Sequence, residues 1–363
     1  MMRSRLRVAV VFGGQSGEHE VSLLSARSVM QALDKTKYSV LPVGISTCGR
    51  WLTAGDPWQR LSDGEDSDCD TAVNTGSGAL VPGWEAEHFP AVDLVFPVLH
   101  GPMGEDGTVQ GLFELAGLPY VGSGVLGSAA GMDKLVMKDI FAAHGLPVVP
   151  HVGLLRSRWQ AEPEACLDEI EARLTYPIFV KPANLGSSVG ITKAYDRTDL
   201  ASGLNLAASY DRRLLAEQGV DAREIECAVL GNDTPRASVC GEVVSNREFY
   251  DYRAKYIDNQ SRLFIPAEIP TATSERIRSL AVQAFMALDC AGLARVDFLL
   301  DRASGEVYLL EVNTMPGFTS ISMYPKLWEA SGLPYSKLLD QLIELALERA
   351  EERHQARQHP VLQ

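Results

Sequence analysis

Residues 293–300 and 307–313 read as two short strands joined by 301–306, and they carry Arg295, Asp297, Glu311 and Asn313 between apolar neighbours. Side chains alternate along a strand. Ala294, Val296, Phe298 and Leu300 then form one face of the first strand, and Tyr308, Leu310 and Val312 one face of the second. Matching those faces around a turn centred on Ser304 sets Asp297 opposite Glu311 and Arg295 opposite Asn313. Two facing carboxylates repel unless a cation lies between them, and oxygen ligands of this kind suit Mg²⁺. An exposed Arg–Asp and Glu–Asn surface pairing is the plain alternative, but four polar groups in mid-strand argue for a site.

A second constellation is the glycine-rich stretch at 182–190. Residues 176–181 run up, 182–187 turn and 188–193 return, an antiparallel flap whose backbone N–H groups and Ser187 and Ser188 hydroxyls suit phosphate oxygens. Lys181 stands at its base. Taken alone, the loop is equally an ordinary hairpin turn. Residues 186–190 also match the G-x-S-x-G nucleophile elbow, which must lead into a helix. Val189, Ile191 and Thr192 are strand formers, however, and the histidines downstream, His354 and His359, lie in a polar tail. No Gly-Lys pair occurs, which excludes a Walker A loop, and residues 13–17 do not match G-x-G-x-x-G.

Elements must position these groups. Residues 8–12 are a buried-strand run opening into Gly13-Gly14, followed by a helical pattern with Leu23, Met30 and Leu33 on one side, then alternation at Leu41, Val43 and Ile45. Residues 93–99 form another strand, followed by a loop at 100–107 and a helix from Thr108. Strand, helix, strand in this order predicts an open α/β domain with its ligands at the carboxyl ends of the strands, where 13–18 and 100–107 fall. Beyond a soft boundary at 127–131, strands outnumber helices, which predicts α+β. A last helix over 335–350 carries Leu338, Leu342 and Leu345, then frays. The acidic, Gly- and Ser-rich stretch 53–90 reads as a surface insertion with no firm element.

With 363 residues the chain should hold two or three domains, and its 46% hydrophobic and 22% charged content is that of an ordinary soluble globular protein. Lys and Arg number 33 against 47 Asp and Glu, a net charge of −14, which argues against nucleic acid as a partner. A polyanionic ligand must then be held by a few placed cations or by metal. The six scattered cysteines form no C-x-x-C pair and read as reduced residues of a cytosolic protein. The apolar run 8–12 is too short for a signal segment, and no stretch approaches a membrane span.

Taken in order, these motifs resemble the D-alanine–D-alanine ligase family of ATP-grasp enzymes. The resemblance covers about residues 7–347 and rests on 13–22 (GGQSGEHEVS), His100-Gly101 with 104–107 (GEDG), Met132-Asp133-Lys134, and Lys181 with 186–190. It rests also on Tyr250-Asp251-Tyr252 with Ala254-Lys255-Tyr256, on 295–297 (RVD) and on 311–317 (EVNTMPG). It implies a three-domain ATP-grasp fold. An amino-terminal open α/β substrate domain (1–128) precedes a central subdomain with the phosphate loop (129–218) and a carboxyl-terminal subdomain (219–363), with ATP between two antiparallel sheets.

Carried over by motif position, the resemblance places Lys134, Lys181 and Ser188 on ATP phosphates, Glu217 and Val220 at the adenine, and Glu224 at the ribose. Asp297, Glu311 and Asn313 would hold two Mg²⁺ or Mn²⁺ ions. Glu18 would bind the ammonium of the first D-alanine, linked to Ser187 and Tyr256, with His100 near the carboxylate. Arg295 and the Gly317 N–H would stabilise the oxyanion, and Lys255, Ser322 and Met323 would hold the second D-alanine. Gln218 stands where many relatives carry Lys, a backbone contact that little depends on. The implied reaction is ATP-dependent joining of two D-alanines through an acyl phosphate, for peptidoglycan precursors, in a cytoplasmic homodimer. Residues 250–265 are the candidate lid that excludes water. A same-fold ligase making D-alanyl-D-lactate or D-alanyl-D-serine, and an inactive nucleotide-binding regulator, are the alternatives. Tyr256 weighs against the D-lactate maker, and intact metal ligands against the regulator. Singly, His100 fits a satisfied loop histidine, Glu18 a helix-start acid and Tyr256 a packing aromatic.

Overall fold

A computed structural model describes residues 5–64, 91–244, 262–319 and 321–358. Lys255, Tyr256 and residues 250–261 of the expected lid lie outside them, as do residues 65–90 of the acidic stretch.

The run at 8–12 is the centre of β1 (Leu6–Gly13), and Val8 to Phe12 are all fully buried, as expected of a parallel strand covered on both faces. It follows that β1 pairs in parallel with β2 (Tyr38–Ile45) on one side and with β4 (Leu94–Val98) on the other. Antiparallel β3 (Trp51–Leu52) completes the sheet beyond β2. Around the sheet lie α1 (His19–Ala32), α2 (Pro57–Ser62) and α3 (Thr108–Leu115). Helix α2 falls in the stretch that composition leaves without an element. Asp56 caps it, accepting from the Gln59 N–H at 3.1 Å, and Pro57 opens it. Ser22 on α1 accepts from the Gly13 N–H at 2.7 Å and donates to the Val98 carbonyl. One hydroxyl therefore ties the carboxyl ends of β1 and β4, where loops 14–18 and 99–107 emerge.

The next unit contains α4 (Val125–Met132), α5 (Lys134–Ala143), β5 (His151–Leu155), α6 (Arg156–Ala161), α7 (Pro163–Glu171), β6 (Ile178–Pro182), β7 (Thr192–Ala194), α8 (Arg197–Tyr210) and β8 (Arg213–Gln218). Its sheet runs β5-β8-β6-β7 with every pair antiparallel. The expected boundary at residue 128 falls inside α4. The return strand of the flap is shorter than its β-branched residues predict. Ser187 and Ser188 take left-handed backbone angles (φ 51° and 59°), so the chain is still turning there and the ladder begins only at Thr192.

The third unit is a sheet of order β11-β10-β9-β12-β13, built from β9 (Ala222–Gly231), β10 (Arg236–Val244), β11 (Arg262–Phe264), β12 (Gly292–Asp301) and β13 (Val307–Asn313). With it go α9 (Thr271–Ala287), α10 (Met323–Ala330) and α11 (Tyr335–Gln358). Asp297 pairs with Glu311 and Arg295 with Asn313, as the face-matching predicts. The register then slips, and Phe298 pairs with Leu309 and Leu300 with Val307. A bulge at 310–311 therefore flips the strand, so that Val307, Leu309 and Val312 are buried and the expected face of Tyr308 and Leu310 is not. Helix α11 runs past the expected end at 350, its polar residues continuing the helix without an apolar face.

The units share cores. Phe12 and Phe96 of the first sheet pack with Phe318, Tyr324 and Trp328 of the third unit, and the Phe96 and Phe318 rings meet edge-on at 5.8 Å. Met137 and Phe141 of α5 pack among Val296, Leu309 and Val312. Cys166, Cys227, Cys240 and Cys290 are free and buried, but Cys48 is disulfide-bonded, which corrects the all-reduced expectation. Among the described residues no helix is long and apolar enough to cross a membrane.

Candidate active site

The three units meet around a cavity of ≈ 370 Å³ lined by Glu18, His100, Glu105, Lys134, Ser187, Glu226, Arg295, Glu311, Asn313, Gly317, Ser322 and Met323, among others. Ten of the residues singled out from the sequence thus converge from segments hundreds of positions apart. Lys181, Ser188, Glu217, Val220, Glu224 and Asp297 are not in its lining. Asp297 sits directly behind it, bonded to Arg295 and Asn313 of the lining.

At the amino-domain wall, Ser187 from the flap donates to Glu18 Oε1. Ser16 Oγ accepts from the Glu18 N–H at 3.2 Å and donates to the His100 carbonyl at 2.6 Å, so the two loops hold each other. Gly101 has φ 75°, and a Cβ there would lie 2.8 Å from Glu18 Oε2, so only glycine admits this carboxylate. His100 is buried, and its Nδ1 lies 3.0 Å from the Met315 carbonyl. A carbonyl only accepts, so Nδ1 carries the proton, and burial lowers the pKa and keeps the ring neutral. The Ser25 hydroxyl faces Nε2 at 3.4 Å and accepts from the Phe318 N–H at 3.1 Å. Glu105, quoted in a motif above but given no role, accepts from the Gly101 N–H at 2.9 Å. Burial and the charge of Glu18 push its carboxyl up to about 8, against backbone hydrogen bonds from Gly101 and Met315. Met315 is thereby gripped at its carbonyl by His100 and at its N–H by Glu105.

On the carboxyl-terminal sheet, Arg295 forks onto both oxygens of Asp297 (2.8 and 2.7 Å) and reaches Glu226 at 3.0 Å. Asn313 donates to Asp297 Oδ2 at 3.0 Å. Glu226 pairs with Asp297 across β9 and β12 and escapes the sequence reading, although it alternates with buried Ile225 and Cys227. Two carboxylates and an amide oxygen on paired strands form an all-oxygen donor set. That fits a hard divalent cation. Among the described residues no group of three His, Cys, Asp or Glu is gathered for a metal, so such an ion would draw on Asn313 and on ligand oxygens. Downstream, Ser322 accepts from the Thr319 N–H at 3.0 Å and stands so near Gly317 that a Cβ there would lie 2.8 Å from its hydroxyl.

The central unit contributes cations. Asp133 caps α5, accepting from the Leu135 and Val136 N–H groups at 3.1 and 3.0 Å, and pairs with Arg213 of β8 at 2.5 Å. That cap aims Lys134, whose ammonium donates to the Leu185 carbonyl at 2.6 Å, at the flap. Glu217 is a buried bridge between two lysines. Its Oε1 lies 2.5 Å from Lys138 and its Oε2 contacts Lys181. Burial alone would raise the Glu217 pKa, but Lys138 and Lys181 hold it well below the carboxylate range. Lys181 is desolvated too, and Glu217, Glu311 and Glu224 outweigh that and raise its pKa. Lys138 escapes the sequence reading because a helical lysine ordinarily points to water.

Comparison with known proteins follows the same outline. Residues 7–123 match the family model described as D-ala D-ala ligase N-terminus, and residues 140–344 match the D-ala D-ala ligase C-terminus. A D-alanine–D-alanine ligase of Acetivibrio thermocellus is 50% identical over 96% of this chain and 97% of its own length. One of Thermoanaerobacter is 53% identical over 96% and 98%. The D-alanine–D-alanine ligase structure from Coxiella burnetii superposes with a TM-score of 0.82 at 37% identity, covering 98% of this chain and 97% of that one. The D-Ala:D-Ser ligase of Enterococcus faecalis gives 0.81 at 38%, covering 94% and 100%.

Proposed function

The chain belongs to the D-alanine–D-alanine ligase family, and on that premise we propose that it joins two D-alanines with cleavage of ATP to ADP and phosphate. The convergence of Glu18, Lys134, Arg295 and Glu311 on one cavity carries this reading. A carboxylate is a poor electrophile, so the γ-phosphoryl group is first passed to the first D-alanine's carboxylate. The amine of the second then attacks the acyl phosphate and expels phosphate. Lys134 and Lys181 take the phosphates, with Ser188 at the flap, while Glu217, Val220 and Glu224 border the nucleoside. Glu18, oriented by Ser187, holds the first substrate's ammonium, and neutral His100 adds no charge beside its carboxylate. Arg295 and the Gly317 N–H face the developing oxyanion, and Ser322 and Met323 face the second D-alanine. Catalysis is then mainly positioning and charge stabilisation. Asp297, Glu311 and Asn313 would hold divalent cation, two Mg²⁺ or Mn²⁺ ions in this reading, which when bound offsets the charge of the phosphates.

The relatives named D-alanine–D-alanine ligase, at 50–53% identity, favour D-alanine as second substrate over the D-serine of the 38% neighbour. The same reading includes three domains divided near residues 128 and 218, a homodimer and a cytoplasmic location. ADP release with D-alanine alone, compared with L-alanine, D-serine and D-lactate, tests the function. Release that does not depend on D-alanine would sink it.

A further inference from the structure

Lys138 is buried more deeply than either lysine assigned to ATP, with 1% of its surface exposed against 8% for Lys134 and 9% for Lys181. It does not line the cavity, and its ammonium is enclosed against Glu217. Its ammonium meets Glu217 Oε1 at 2.5 Å, while Lys181 takes Oε2 of the same carboxylate. Lys134 and Lys138 are one helical turn apart, so both face the β6–β8 side of α5. Asp133 pins the start of that helix to Arg213, on the same strand as Glu217. The frame that holds Lys138 against Glu217 is therefore rigid.

For Lys181 to turn its ammonium fully onto phosphate oxygens, it gives up Glu217. A buried carboxylate that loses its only cation is strongly destabilised, so a two-member pair would trap Lys181. A three-member cluster does not. We propose that Lys138 is a positioning residue for the nucleotide: it remains paired with Glu217 as a fixed counter-ion and so frees Lys181 to exchange that carboxylate for a phosphate oxygen. This rests on the ATP reading above and adds a residue outside the cavity lining to its machinery.

The test compares Lys138→Met, Glu217→Gln and the double variant Lys138→Met/Glu217→Gln with the parent, by calorimetric titration of ADP and of adenosine and by KM for ATP and D-alanine. In Lys138→Met, Lys181 is the remaining cation on Glu217 among the described residues, so ADP affinity should fall about tenfold or more, with KM for D-alanine within about twofold of the parent. Adenosine, which lacks phosphates, should lose much less than ADP. The double variant, with no carboxylate to hold Lys181, should bind ADP within about twofold of Glu217→Gln alone, which carries any loss of the Glu217 contact with the nucleoside. Equal losses for adenosine and ADP, or a lower kcat with unchanged ADP affinity, would overturn the proposal. If Lys138→Met does not fold, the double variant decides: ADP affinity near that of Glu217→Gln supports the proposal and binding tenfold weaker than Glu217→Gln contradicts it. Failure of both to fold would make Lys138 structural only. ADP binding is measured apart from ligation, so a parent that binds ADP yet makes no dipeptide would sink the proposed function and leave this test intact.

Discussion

Rising pH should cost this protein stability through Glu105. Burial and the charge of Glu18 hold its carboxyl at about 8 in the folded chain, against an ordinary 4.5. Between those pH values the folded chain keeps a proton that the unfolded chain has released. The stabilisation is complete below 4.5, declines across the window and is gone above 8. At about 1.4 kcal/mol for each pH unit the full span is about 5 kcal/mol. Partial exposure of the residue trims this to about 2–4 kcal/mol, because solvent screens part of the charge. Glu105→Gln keeps an acceptor for the Gly101 N–H and cannot ionise. Urea unfolding of parent and variant between about pH 5 and pH 8 isolates the term, since every other titrating group is shared. The variant should gain on the parent by about 2–4 kcal/mol across that range. Curves that stay parallel within about 0.5 kcal/mol would refute a buried, proton-holding Glu105.

Three further outcomes are expected. Glu311→Gln should fold normally yet lose ligation almost entirely, because the donor set for divalent cation loses one of its two carboxylates; a pure, folded variant making dipeptide near the parent rate would remove Glu311 from the site. Gly101→Ala should cost about 1–2 kcal/mol for its left-handed backbone and displace Glu18, raising KM for D-alanine about tenfold while KM for ATP holds; equal changes in both would separate Gly101 from substrate binding. Leu309→Ala should destabilise by about 2–5 kcal/mol and Leu310→Ala by about 1 kcal/mol or less, and the reverse order in chemical denaturation would contradict the bulge.

Much of the site was legible because strand periodicity carries register. Apolar residues at alternate positions of β12 set Asp297 against Glu311 without any structure. The same periodicity cannot count an inserted residue, so the bulge at 310–311, and with it the burial of Leu309, was not legible. Nor could β-branched residues after Ser188 reveal that two serines turn left-handed and delay the strand. Glu226 was within reach of a strict alternation argument from Glu224. Lys138 and Glu105 were not, because their burial depends on elements far away in the chain: β8 for one, the Met315 loop for the other. The polar end of α11 has no apolar stripe for a helical period to show.

In the proposed reaction ATP activates one D-alanine as an acyl phosphate for attack by the other. Supplying D-alanine with both carboxylate oxygens heavy, and weighing dipeptide and inorganic phosphate by mass spectrometry, tests it directly. The carboxylate oxygen that bonds to phosphorus leaves with it when the amine attacks. Each phosphate should then carry one heavy oxygen, with one phosphate per dipeptide and one heavy oxygen at the new peptide carbonyl. Dipeptide formed alongside phosphate that contains only light oxygen would contradict it.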